Sequence, residues 1–180
     1  MKSKPLRANP SKFRVSKSSL PPPAFHILLV RRTAAPKRPA RQAIAALFAR
    51  AWRLVPSRRC PDAGRRAAVD VFLVGDAEMA RLHATHLKRR GPTDVLSFPM
   101  AEFDPGRKAF LLGEIVVSFE TARREAAARG LALEEELARY LVHGFLHLMG
   151  YDDCTAQQRQ EMHALQEWSL EEFTAARIAP

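Results

Sequence analysis

Cysteine is nearly absent from this chain of 180 residues: only Cys60 and Cys154 occur, too few for the disulfide framework of a small secreted domain. Long apolar runs are also missing. The longest, Ala24 to Val30 and Leu141 to Gly150, fall well short of the roughly 20 residues that a membrane-spanning helix needs. The basic N-terminus is not followed by an apolar stretch of secretory length, so it does not read as a signal peptide. The reducing cytoplasm is the expected compartment. Negative charge is unevenly missing. Residues 1–61 hold 15 Lys or Arg and no acid, whereas the remainder holds 14 basic and 19 acidic side chains. The formal net charge of +10 therefore belongs to one end of the chain. Such an arm binds polyanions by counterion release, which points to nucleic acid; the plain alternative is a solvated tail.

The length suits one domain with a substantial core. Met1 to Pro23 is basic, rich in Ser and Pro, and ends in three prolines, which predicts a disordered arm with a stiff end. The expected division is an arm over 1–23, a folded domain over 24–175 and a tail over 176–180. Strands are expected over Phe25–Val30, Val69–Val74, Asp94–Phe98 and Leu111–Ser118, and loops over Thr33–Pro39 and Pro56–Gly64. Ala40–Leu54 reads as a helix with Ile44, Leu47, Phe48, Ala51 and Trp52 on one side. Asp76 is the expected N-cap of the helix after Gly75, and Asp104-Pro105-Gly106 a turn. Helices follow over Phe119–Arg129, Leu133–Met149 and Thr155–Phe173, the last opened by a Thr155/Gln158 capping box. The sum is an α+β fold: about four strands in a mixed sheet packed with four or five helices.

The segment His143-Gly144-Phe145-Leu146-His147-Leu148-Met149-Gly150-Tyr151-Asp152-Asp153 carries the chemistry. Histidines four apart share a helix face, so His143 and His147 can converge on one ion. Gly150 suits the left-handed position that ends a helix, and the reversal can bring a carboxylate back to the same point. Two imidazoles and one carboxylate leave a coordination position open, as in a catalytic zinc site. Asp153 is the third candidate ligand, with Asp152, Cys154 and His163 as rivals. The core face of the same helix is expected to hold Leu137, Tyr140, Leu141, Phe145, Leu148 and Met149.

This segment resembles the H-G-x-L-H-L-x-G-Y-D-H signature of the YbeY family of bacterial endoribonucleases. Pro92-Thr93-Asp94-Val95-Leu96-Ser97-Phe98-Pro99 is similar to that family's P-T-D-V-L-S-F-P strand. Leu112 to Val117 and Arg124 to Ala127 resemble its L-G-[DE]-I-V-I and R-E-A-A blocks. The blocks fall in order over roughly residues 68 to 170. The resemblance implies a single-strand-specific endoribonuclease acting on ribosomal RNA in small-subunit maturation and ribosome quality control, and the open three-ligand pattern leads us to expect one zinc per chain. It also places Asp153 at the third ligand position.

Two departures stand out. Asp153 replaces the family's third histidine; a carboxylate is an accepted zinc ligand, but its shorter side chain requires a closer loop. Where the family has an asparagine, an aromatic and an RNA-binding arginine, ungapped counting gives His83, His86 and Leu87. Lys88, Arg89 and Arg90 follow directly and are the candidate substrate-binding residues, since guanidinium suits phosphate. His83 and His86 are expected to flank the site. No catalytic residue is assigned.

Two other functions compete. A zinc protease needs a glutamate directly after the first histidine; Gly144 stands there, and only a displaced acid such as Glu114 could replace it. A non-catalytic RNA-binding assembly factor, with the metal bracing the fold, is the other alternative.

Overall fold

The central strands are apolar on both faces, and this fixes the layering. The computed structural model describes residues 21–33, 40–55, 57–58, 66–88 and 91–171. In it β1 (Ala24–Arg31), β2 (Arg66–Val74), β3 (Val95–Asp104) and β4 (Ala109–Ser118) form one sheet in the order β1-β2-β4-β3. β1 and β4 flank β2 in parallel, and β3 closes the edge antiparallel to β4. Five helices are present among the described residues: α1 (Arg41–Leu54), α2 (Asp76–Leu87), α3 (Phe119–Arg129), α4 (Leu133–Leu148) and α5 (Ala156–Leu170). The expected α+β class, with a mixed four-stranded sheet, is the observed one.

Alternation along β2 divides the core. Val69, Val71 and Leu73 pack with α1, α4 and α5, whereas Val74 and the neighbouring Phe72 pack with Met79 and Leu82 of α2. Side chains of a strand point to opposite faces in turn. A strand sandwiched between helical layers is therefore apolar on both faces over most of its length, and the buried exception in β2, Asp70, is paired with Arg107 at 2.7 Å.

The helix that carries the histidines is anchored by rings. Phe145 of α4 stacks on Phe48 of α1 at 4.4 Å between centroids, with planes 6° apart. Phe25 of β1 meets both edge-on, at 5.5 Å and 6.1 Å. Offset stacks and edge contacts of this kind add to plain apolar burial. The predicted stripe of α1 (Ile44, Leu47, Phe48, Ala51, Trp52) is buried in full.

Several local expectations need correction. Gly75, not Asp76, is the N-cap of α2. Asp76 instead takes hydrogen bonds from Ser118 and from Thr121 (2.7 Å), and pairs with Arg124 at 3.0 Å. Its carboxylate thus fastens α2 to the start of α3. β3 starts at Val95 and runs to Asp104, well past the expected end at Phe98, because β4 offers it partners down to Ala109. The turn correspondingly spans residues 105–108. The bulk of the expected arm, most of the loops over 33–39 and 56–64, and the tail lie outside the described residues.

Candidate metal centre

α4 is built to present two imidazoles at its C-terminal end. Glu134, Glu135 and Glu136 occupy its first turn, where negative charge offsets the helix dipole. At the other end Gly150 N–H donates to the His147 carbonyl and Tyr151 N–H to the Leu146 carbonyl, each at 3.0 Å. Gly150 has φ +94. That pair of bonds with a left-handed residue between them is a Schellman stop, and it turns the chain back over the last helical turn, as the sequence led us to expect.

The reversal gathers three donors. The Nε2 atoms of His143 and His147 lie 3.1 Å apart, and Asp153 Oδ2 lies 3.8 Å from His143 Nε2. All three ligand atoms fall within 4.8 Å of one another, forming the metal-competent group among the described residues. A tetrahedral ion with bonds of about 2.0–2.1 Å holds its ligands roughly 3.4 Å apart, so the spacing suits such an ion with little adjustment.

The outer nitrogens argue the same way. His147 Nδ1 lies 3.0 Å from the Tyr151 carbonyl, and His143 Nδ1 lies 3.2 Å from Gln166 Oε1 on α5. Both partners are acceptors, so each ring carries its proton on Nδ1 and turns a lone pair inward at Nε2. Two lone pairs facing each other at 3.1 Å repel unless a cation lies between them. Metal-bound histidines are held by such outer hydrogen bonds. Burial first, and then the neighbouring His147 ring, push the His143 pKa below the ordinary imidazole range, against the pull of Asp153 and Asp94. A neutral ring at neutral pH is the form that binds metal.

The rival ligands are turned elsewhere. Asp152 accepts from Asp153 N–H at 2.8 Å and from the Cys154 thiol at 3.3 Å. Cys154 is exposed, and that carboxylate contact raises its pKa, which disfavours the thiolate a metal requires. His163 is exposed on α5 and does not join the group. Arg159 braces the loop by donating to the carbonyls of Asp153 (3.0 Å) and Cys154 (2.9 Å). Arg58 holds it from the other side: its backbone N–H bonds the Met149 carbonyl and its guanidinium lies 4.0 Å over the Tyr151 ring.

The basic candidates are less completely placed. Lys88 is the exposed, left-handed C-cap of α2, while Arg89 and Arg90 lie outside the described residues. His83 is buried with Nδ1 at 2.9 Å from the Gly91 carbonyl, and His86 packs against Phe98. Neither histidine joins the metal group. Leu87 is exposed.

Three contributors were not singled out from sequence. Asp94 acts on the His143 charge from the rim of β3, Gln166 reaches it from another helix, and the Tyr151 backbone holds His147. Asp94 and Tyr151 left a trace beforehand, inside the Pro92-Thr93-Asp94 block and the histidine segment, and Gln166 left none. Glu114 is excluded as a stand-in base. Its neighbour Ile115 faces Gly144, so Glu114 points to the opposite side of the sheet, into a groove lined by Phe98 and Val116.

Fold and site together define an α+β protein with a candidate three-donor metal centre of the open type. Residues 36–174 match the family model described as Endoribonuclease YbeY, and the chain belongs to that family. Endoribonuclease YbeY of Mycobacterium leprae is 42% identical over 124 residues, covering 65% of this chain and 70% of that protein. The Mycobacterium tuberculosis protein of the same name is 42% identical over 119 residues, covering 62% and 67% respectively. Among solved structures, TM1509 from Thermotoga maritima aligns over 86% of this chain and 96% of its own at 22% identity, with a TM-score of 0.49. The chain is thus an endoribonuclease, a hydrolase whose substrate is RNA, which sets aside both the protease and the non-catalytic assembly factor.

Proposed function

We propose that this endoribonuclease is zinc-dependent, with one ion held by His143, His147 and Asp153, and that it cuts single-stranded RNA during maturation and quality control of the small ribosomal subunit in the cytoplasm. The observation that carries the metal assignment is the inward-facing pair of Nε2 atoms, each fixed by an acceptor on its outer nitrogen. The ribosomal assignment is supported by the signature blocks quoted above and by the family to which the chain belongs.

Zinc in such a site supplies Lewis acidity toward a phosphoryl oxygen and makes water a better nucleophile at neutral pH. The chain's own residues do the rest. Tyr151 and Gln166 lock the two rings in the ligating tautomer. Asp153, part-exposed, adds a negative charge that makes the centre less electrophilic than three imidazoles would. Lys88, Arg89 and Arg90 bind phosphate of the substrate, and the basic residues 1–61 hold the flanking RNA without sequence preference.

Elemental analysis of the purified chain tests the reading, alongside His147→Ala, Asp153→Ala and Asp153→His. Zinc is expected in the wild type and in Asp153→His, and absent from the two alanine variants, with cleavage of single-stranded RNA following zinc content. Zinc retained in Asp153→Ala would move the third ligand elsewhere. Cleavage undiminished by a chelator would overturn metal dependence.

A further inference from the structure

The face of the sheet turned away from the histidines carries a second concavity. α2 covers that face incompletely, and a groove of about 300 Å³ stays open beside it. Phe72, Leu82, Phe98 and Met100 form its walls, and Arg32, Glu78, His86 and Glu114 bring the polar groups. Phe98 and Glu114 are direct cross-strand partners, so an aromatic ring and a carboxylate stand side by side. His86 braces the Phe98 ring edge-on at 4.9 Å.

The groove is also shaped by a local irregularity. The β3–β4 register breaks between Pro99 and Glu102, and Ala101 within the break has φ +58. A positive φ at a residue with a Cβ is strained, and bulges of this kind re-aim side chains near functional sites. Here the break leaves Met100 on the groove and 41% exposed.

Charge and chemistry narrow the occupant. Arg32, Glu78 and Glu114 line the groove, and because Arg32 is paired with Glu78 the net charge is negative, which disfavours phosphate. A cationic side chain would want the face of Phe72, but Arg32 already lies 5.3 Å over that ring and pairs with Glu78 at 2.9 Å. An apolar side chain would bury Glu114 without giving it a donor, which is costly. A flat ring bearing N–H groups meets every requirement: it stacks on an aromatic wall and donates to the carboxylate.

We propose that this groove is a base-binding subsite that takes one unstacked, amino-bearing nucleobase of the RNA substrate, with the ring against Phe98 and the exocyclic amino group donating to Glu114. The inference rests on the single-strand reading above, since a base held in a duplex could not enter. Its connection to the cleavage centre runs through β3, an edge strand. The Asp94 end of that strand acts on His143, while Phe98 faces the groove. A strand of RNA held at the histidines therefore reaches the subsite by crossing the β3 edge. Adenine and cytosine carry the required amino group on their pairing edge and uracil does not.

The test is binding of 2′-O-methyl RNA decamers of adenosine, cytidine or uridine to the full chain, read by fluorescence anisotropy and by the NMR signal of the Met100 methyl. Adenosine and cytidine decamers are expected to bind about tenfold tighter than uridine, with the methyl signal shifting. Phe98→Ala should cost the first two about tenfold, and Glu114→Leu should erase their advantage over uridine. Met100→Glu, at an exposed position where folding is not at stake, should weaken all three. Equal affinity for the three decamers, or a methyl signal unmoved at saturation, would overturn the proposal. So would a response of that signal to an apolar peptide alone, which would make the groove a protein-docking site. Cleavage of unmodified RNA is measured separately. Base preference without cleavage would sink the nuclease assignment and leave the subsite standing, and cleavage without base preference would do the reverse.

Discussion

Gly144 and Ile115 approach so closely that a Cβ added to the glycine would stand 2.8 Å from Ile115 Cγ2, with Ser97 Oγ at 3.0 Å. The second residue of the histidine motif is thus a packing position, where α4 settles onto β3 and β4. Ile115 is fully buried and β-branched, so its methyl cannot swing away. Alanine is the better helix former by about 1 kcal/mol, but overpacking a rigid core costs about 1–3 kcal/mol. Gly144→Ala is therefore expected to be net destabilising in urea unfolding. Gly144→Glu, which would restore a zinc protease's base on paper, should fail to fold and show no proteolysis.

Gln166 gives a sharper test of the candidate metal site, because it is not one of the three donors. Its side-chain oxygen is the acceptor for His143 Nδ1 at 3.2 Å, and the residue is buried. Gln166→Leu keeps the bulk and removes the acceptor. Loss of such an outer partner typically weakens metal binding 10–100-fold. Zinc affinity measured by competition with a chromophoric chelator should fall within that range while the melting curve of the metal-free protein moves little. An unchanged affinity would mean that packing alone orients the ring.

What was legible in the sequence was local. The α1 stripe, the stop at Gly150 and the Thr155/Gln158 box each depend on residues within a few positions of one another, and periodicity or spacing reveals them. The inward set of Asp153 was legible through the motif. Gln166 was not, because it lies 23 positions from the histidine it supports and no local pattern links them. The length of β3 was hidden for a related reason. Pro99 and Glu102 are poor strand residues, and pairing with β4 overrides that preference. Asp76 sits where a cap belongs, yet its partners Ser118, Thr121 and Arg124 lie more than forty positions away and draw it into a different task.

That task has a pH signature. Burial pushes the Asp76 pKa up, but hydrogen bonds from Ser118, Thr121 and Arg124 outweigh it and hold the value at about 2. The unfolded chain titrates near the usual value of about 3.9. A depressed carboxylate contributes stability that is fully present above the unfolded pKa and is lost as pH falls through the folded one. Urea unfolding of wild type and Asp76→Asn should therefore differ by a constant amount above about pH 4, and the difference should shrink between about pH 4 and pH 2. A gap that persists at pH 2 would mean the aspartate contributes through shape and not through its charge.

The basic N-terminus makes a prediction that is independent of the metal. Residues 1–18 carry six Lys or Arg and no acid. Each phosphate contact made to a single strand adds about 0.7 to the slope of log affinity against log salt. Deleting residues 1–18 should therefore weaken RNA binding most at low salt and flatten that slope, by up to about 4 if all six residues engage. Zinc content and the per-site cleavage rate at saturating RNA should stay as they were, since the candidate ligands sit on α4 and the turn after it. A slope unchanged by the deletion would assign the charge to solubility and leave RNA capture to the folded domain. That domain has near −5 formal charge beyond residue 61, so its capture surface would then have to be a local cluster such as Lys88 and its neighbours.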